Sequence, residues 1–249
     1  MATEEGSVGI DPMHQFEIVP WISIEIGGID ASFTNSSFFM LVAVALITAF
    51  TTLSMSGRAL VPGRLQSMAE MAYEFIARMV RDNVGTDGIK YFPFVFTLFM
   101  FVLFCNMLGM VPYAFTVTSH IAVTFAMAII IFLGVTVIGF ITHGISFLRF
   151  FVPSGIPIWM MPLLVVIEVI SYLTRPLSLS VRLFANMLAG HTMLKVFAGF
   201  VVLMGILGVV PLVFMVALTG LEILVAFLQA YVFAILTCIY LNDALHMHH

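Results

Sequence analysis

Of the chain's 249 residues, 62% are hydrophobic and only 9% are charged, with a formal net charge of −4. A water-soluble domain carries about 25% charged residues, so this chain cannot clothe a surface for water. Its mean hydropathy of +1.16 requires lipid as solvent.

Cys105 and Cys238 lie far apart in apolar runs. They read as buried small hydrophobes rather than a disulfide or metal pair; no cofactor, metal or nucleic-acid partner is expected. Residues 1–30 hold six acidic groups (Glu4, Glu5, Asp11, Glu17, Glu25, Asp30) and no Lys or Arg. Residues 56–90 hold Arg58, Arg64, Arg78, Arg81 and Lys90. The positive-inside rule places the acidic segment, 1–37, outside and the basic segment in the cytoplasm. The opening residues show no signal-peptide pattern, so the first apolar run is expected to be its own insertion signal.

That run, FFMLVAVALITAFTTL from Phe38, predicts a first span over 38–55 before Gly57, Pro62 and Gly63 break it. In LQSMAEMAYEFIARMVRDNVG, Leu65, Met68, Ala72, Phe75 and Met79 recur at helical spacing among Glu70, Glu74, Arg78 and Arg81. The stretch is too charged to span. It predicts an amphipathic helix over 65–82 on the cytoplasmic face, with Glu74 and Arg78 as a favourable i,i+4 pair. From Tyr91 to Leu148 no Asp, Glu, Lys or Arg occurs, which leaves room for spans at 91–112 and 121–142. VPYAFTVTSH at 111–120 reads as the outside turn between them, and Arg149 as the return to the cytoplasm. FFVPSGIPIWMMP at 150–162 reads as an interfacial loop.

From Leu163 to Leu241 the chain stays apolar but holds Glu168, Arg175, Arg182, Lys195 and Glu222. Two long paired helices are predicted, 163–198 and 211–240, joined near Gly205, Gly208 and Pro211. A helix of about 35 residues extends over about 50 Å, well beyond a hydrocarbon core of about 30 Å, so it must tilt or project. The polar NDALHMHH closes the chain, with His246, His248 and His249 as a solvated tail. The expected fold is therefore an all-α integral membrane protein, a single membrane domain over 1–249. It has about five transmembrane helices, a cytoplasmic-face amphipathic helix and a cytoplasmic C-terminus.

Glu168, Arg175 and Arg182 recur at intervals of seven, a drift of about 20° per step, and so form one stripe. Ser178 and Asn186 lie close to it, whereas His191 faces about half a turn away. Glu222 and Gln229 share a face of the next helix, and antiparallel pairing brings the polar groups of both helices toward one another. Arg175 and Lys195 have two readings, as snorkelling end residues or as members of a polar site. Asn186 and Gln229 also have two, as hydrogen-bonded glue between helices or as parts of that site. The long apolar flanks of Arg182 and Glu222 weigh against a snorkelling end for Arg182 and against a purely structural salt bridge for Glu222. His and Glu exchange protons when water reaches them, whereas Arg does not. A fixed positive charge flanked by His191, Glu222 and Glu168 points to a proton translocator whose carrier lies on another chain.

RPLSLSVRLFANMLAGH at 175–191, followed by LEILVAFLQAYVFAILTCIYL at 221–241, closely resembles the subunit a family of F-type ATP synthases. FTLFMFVLFCNMLGMVPY at 96–113 and the order of spans extend the resemblance over 38–243. It implies a non-catalytic stator subunit that provides two offset proton half-channels to a rotating c-subunit ring. Peripheral-stalk b-type subunits and the rest of the complex are the further partners implied. By the resemblance, Arg182 meets each ionised ring carboxylate and Asn186 and Gln229 support it. His191 and Glu222 line the outside half-channel, with Asn106 beside them; Glu168 and Asp243 belong to the cytoplasmic one. The implied location is a bacterial plasma (inner) membrane, or alternatively the mitochondrial inner membrane. A secondary transporter would show repeated halves and broken helices, which are absent, and a passive scaffold would not place Arg182 and Glu222 so deep. A sodium-driven motor is the nearest alternative within the family.

Overall fold

Long runs of Phe, Leu, Val and Ile become helices because in lipid each backbone N–H and C=O must find its partner within its own segment. In the computed structural model, residues 16–23, 25–26, 29–30, 32–56, 62–111, 114–152 and 158–246 are described. Glu4, Glu5, Asp11, Arg58, His248 and His249 lie outside the described residues, as do the readings that rest on them. Six α-helices follow one another among the described residues: α1 (Asn35–Ser56), α2 (Arg64–Val84), α3 (Phe92–Gly109), α4 (Ile121–His143), α5 (Met161–Leu203) and α6 (Val209–Leu245). Counting the 3-10 turns that prolong some of them, five helical segments are long and apolar enough to cross a membrane: Asn35–Ser56, Thr86–Gly109, Ile121–Leu148, Met161–Leu203 and Gly205–Leu245. Within the acidic N-terminal segment two short antiparallel pairs form, β1 (Pro20–Ile22) with β4 (Phe33–Thr34) and β2 (Glu25–Ile26) with β3 (Ile29–Asp30). The alternation of Ile22, Ser23, Ile24, Glu25 and Ile26 ahead of Gly27 and Gly28 is the hairpin signal in the sequence for the second pair.

α6 is the central helix and packs against α2, α3, α4 and α5. Its buried residues Ala226, Ala230, Phe233, Ala234, Cys238 and Leu241 recur every three or four positions. The small alanines let neighbouring backbones approach, which substitutes for the hydrophobic drive that lipid does not supply. α5 turns Tyr172, Leu179, Leu183 and Met187 to this core and leaves Leu173, Leu177 and Val181 exposed on its other side. α2 buries Ile76, Met79, Val80 and Val84 on one face. Opposite that face Glu74 and Arg78 pair at 2.6 Å in the open, where such pairs add little. Gly85 ends α2 at φ 79°, in the left-handed region that glycine tolerates best.

Three expectations need correction. α5 and α6 reach 161–203 and 209–245 rather than 163–198 and 211–240, because no capping residue interrupts the apolar run. They are joined by the short turn Gly205–Gly208: Gly205 adopts φ 53°, and a Cβ on Gly208 would lie 2.5 Å from the Val201 carbonyl oxygen. Second, the helix runs on into the polar end as far as Leu245. α6 continues through Asp243, whose Oδ2 lies 2.8 Å from the Arg175 guanidinium. That guanidinium also lies over the rings of Phe150, Tyr172 and Tyr240. His246 approaches Asp87 at 3.7 Å, so α6 ends beside the α2–α3 connection. Third, the stretch expected as the outside turn carries buried residues. α3 stops at Gly109, and Phe115, Thr116, Val117, Thr118 and Ser119 fold inward and are buried against α3, α4 and α5. Gly109 permits this, since a Cβ there would meet Thr116 Cγ2 at 2.7 Å.

Candidate functional site

The polar groups of α5 and α6 sort onto two sides of α5. Arg182 is exposed on the apolar side of α5, which no described element covers, and makes no ion pair among the described residues. One turn further, Asn186 Nδ2 donates to Gln229 Oε1 at 2.8 Å, which ties α5 to α6. Gln229 is buried and its Nε2 finds no partner. The glue reading and the site reading thus apply to the same bond, because it braces the helix face that carries Arg182.

His191 and Glu222 occupy the other side, and nine residues from Arg182 correspond to a rise of about 13 Å. His191 Nδ1 lies 3.2 Å from Glu222 Oε1, and both residues are buried, at 8% and 5% exposure. The distance suits an ion pair, but the groups are not aligned as a hydrogen bond. His191 Nε2 and both Glu222 oxygens therefore remain without partners. Unsatisfied buried polar groups are costly, and these three lie together at the α5–α6 contact. Gly190 makes the space: a Cβ there would lie 2.8 Å from Glu222 Oε1. Glu222 thus reaches His191 rather than the Arg182 side of the helix.

A cavity of about 970 Å³ reaches His191, with Glu222 buried behind the imidazole. Its wall includes His191, Lys195, Thr219, Thr116 and Glu17, so the N-terminal segment and the C-terminal end of α3 share it with the last turns of α5. At about 30 Å³ per molecule it has room for roughly thirty waters. Asn106 is fully buried beside it: its Nδ2 donates to the Ala226 carbonyl at 3.1 Å, and its Oδ1 accepts from Thr118 at 2.8 Å. Asn106 therefore braces α3 and the inward loop against α6 one turn from Glu222, and does not itself line the cavity.

Glu168 is half-buried near the start of α5, and Asp243 is engaged by Arg175. The regular stripe Glu168–Arg175–Arg182 therefore splits: Arg175 turns to α6 while Arg182 stays on the open face. Sequence reasoning missed Thr116, Thr219 and Glu17 as cavity residues and left Lys195 as a possible snorkelling end. The signal for Lys195 was available, since it follows His191 by four and so shares its helix face. Glu17 had no such signal. Among the described residues no group of three or more His, Cys, Asp or Glu is placed to hold a metal.

The family model described as "ATP synthase A chain" matches residues 37–242. "ATP synthase subunit a" of Parvibaculum lavamentivorans is 61% identical over 251 residues, covering 98% of this chain and 96% of the relative. The proteins of the same name from Mesorhizobium japonicum and Pelagibacter ubique are 62% and 60% identical, each over 96% of this chain and covering 98% and 99% of their own lengths.

Proposed function

Because the chain belongs to the ATP synthase A chain family, it is a membrane-embedded subunit of that complex, and we propose that it is the stator that loads and unloads protons on a rotating ring of c subunits. The observation that carries this reading is the division of polar groups across α5. A guanidinium without an ion pair among the described residues stands on an exposed apolar face, and on the other side stands an unsatisfied His–Glu pair whose imidazole lines a cavity.

In this reading the cavity is the outside half-channel. A proton passes from its water to His191 and Glu222 and then to a ring carboxylate, which can face lipid once neutral. After nearly a full turn that carboxylate reaches the cytoplasmic side near Glu168 and Asp243, releases its proton and is met by Arg182. Asn186 and Gln229 hold the face of α5 on which Arg182 sits, and Asn106 holds the wall of the outside half-channel. Arg182 cannot hand on a proton, so it separates the two paths and forces protons to travel with the ring. Each proton falling through 100 mV releases about 2.3 kcal/mol, so several must pass for each ATP made. The catalysis of ATP formation belongs to other subunits, and peripheral-stalk b-type subunits keep this one from turning. The assembly lies in a bacterial plasma membrane, as suits the three bacterial relatives, with the N-terminus outside and the C-terminus in the cytoplasm.

Cysteine cross-linking tests the orientation. Ser178 and Ala185 share the exposed side of α5 with Arg182, whereas Leu183 is fully buried. Ser178→Cys and Ala185→Cys are expected to cross-link on oxidation to cysteines placed in the outer helix of a ring subunit, and Leu183→Cys is not. Both native cysteines are buried and give no competing signal. Cross-links from Leu183→Cys alone would reverse the assignment of faces.

Gly190→Ala tests the inlet. The added methyl must push the Glu222 carboxylate aside, at a cost of about 1.4 kcal/mol or a tenfold slowing of ATP-driven acidification of inverted vesicles. Unchanged acidification with normal assembly would mean that the spacing of His191 and Glu222 does not matter.

A further inference from the structure

Lys195 stands in the wall of the same cavity as His191, four residues further along α5 and therefore on the same face. It interacts electrostatically with the imidazole. Among the described residues no carboxylate lies within ion-pair distance of its ammonium. Side-chain entropy and desolvation both oppose holding an unpaired ammonium in a membrane cavity. Its presence there is not explained by packing.

We propose that Lys195 is the charge filter of the outside cavity, which keeps metal cations from the His191–Glu222 pair while letting protons through. The inference rests on the cavity being the proton inlet. The pair needs such protection because of its chemistry: an imidazole nitrogen and a carboxylate with three unpartnered atoms are good ligands for Zn²⁺ and similar ions. The cavity is roomy enough to admit a hydrated ion, which the Glu222 carboxylate attracts. A fixed positive charge beside His191 opposes that attraction at the last step. Repulsion grows with the charge of the visitor, so a divalent ion loses occupancy by the square of the factor that a single charge loses. A proton relayed through water carries one charge and is excluded least.

Lys195 is thus a specificity-determining residue that acts on what reaches the pair. The test uses the complete ATP synthase in inverted vesicles whose lumen, equivalent to the outside, is loaded with graded ZnCl₂ while external metal is chelated. ATP-driven acidification is followed with a pH dye. The luminal Zn²⁺ giving half-block is expected to fall about tenfold in Lys195→Gln, the consequence of removing one nearby charge at high effective dielectric. Lys195→Met keeps the apolar stem and its packing, and shows the same fall. Lys195→Arg keeps the charge and blocks at the native concentration. The same half-blocking Zn²⁺ in the native and both neutral variants overturns the filter, as does a fall in Lys195→Arg that matches theirs. Failure of the inlet reading shows separately, as full acidification by Glu222→Gln without metal.

Discussion

Arg182→Ala in the assembled complex is expected to abolish ATP-driven acidification of inverted vesicles, a loss of at least about a hundredfold for an interaction of about 3 kcal/mol. A guanidinium at mid-membrane costs at least about 2.5 kcal/mol even on the most lenient insertion scales. Among the described residues nothing within the chain offsets that cost with an ion pair. In the proposed function an anion from a neighbouring subunit does so: a ring carboxylate that ionises and reprotonates in turn would convert this attraction into movement. Arg182→Lys is expected to fail as well, because an ammonium can release its proton in low dielectric and lacks the planar fork that holds a carboxylate in register. Passive proton conduction in vesicles stripped of the catalytic head separates roles. Arg182→Ala should leak more than the native complex, since the barrier between the two paths is gone. Sustained pumping by Arg182→Ala would remove the guanidinium from the mechanism altogether.

The second large effect concerns Glu222. Glu222→Gln preserves shape but cannot take up a proton, and is expected to slow acidification about a hundredfold, the usual scale for losing a positioned proton-transfer group. His191→Glu alone places two carboxylates where the distance to Glu222 is now 3.2 Å, and should also fail through like-charge repulsion. The double exchange His191→Glu with Glu222→His restores one imidazole and one carboxylate across the same contact. It is expected to recover more activity than either single variant. Additive losses in the double variant, with assembly measured by native gels, would show that the two side chains work independently.

The architecture was legible where composition left no choice. Apolar runs of spanning length announced α1, α3 and α4. The nine-residue offset between Arg182 and His191, half a turn of helix, already sets their faces apart in the sequence. What could not be read were contacts decided by tertiary packing. Asp243 lies in a polar tail by sequence, yet it is drawn into α6 because Arg175, 68 positions earlier, finds its carboxylate. Thr116, Thr118 and Ser119 look like turn residues by composition. They are buried because Gly109 lets the chain fold back on α3 and because Asn106 supplies a partner for Thr118. The cavity wall was the least legible part, since Glu17 and Thr219 reach it from distant segments that share no pattern with His191.

The bare face of α5 has a consequence for biogenesis. A newly inserted copy shows lipid a guanidinium together with Leu173, Leu177 and Val181, and the membrane must thin or admit water to accommodate it. The orphaned chain is thereby marked as unfinished. Its lifetime should depend on how soon the neighbouring ring arrives, and cells lacking that ring should degrade it while sparing membrane proteins of equal length that carry no such charge.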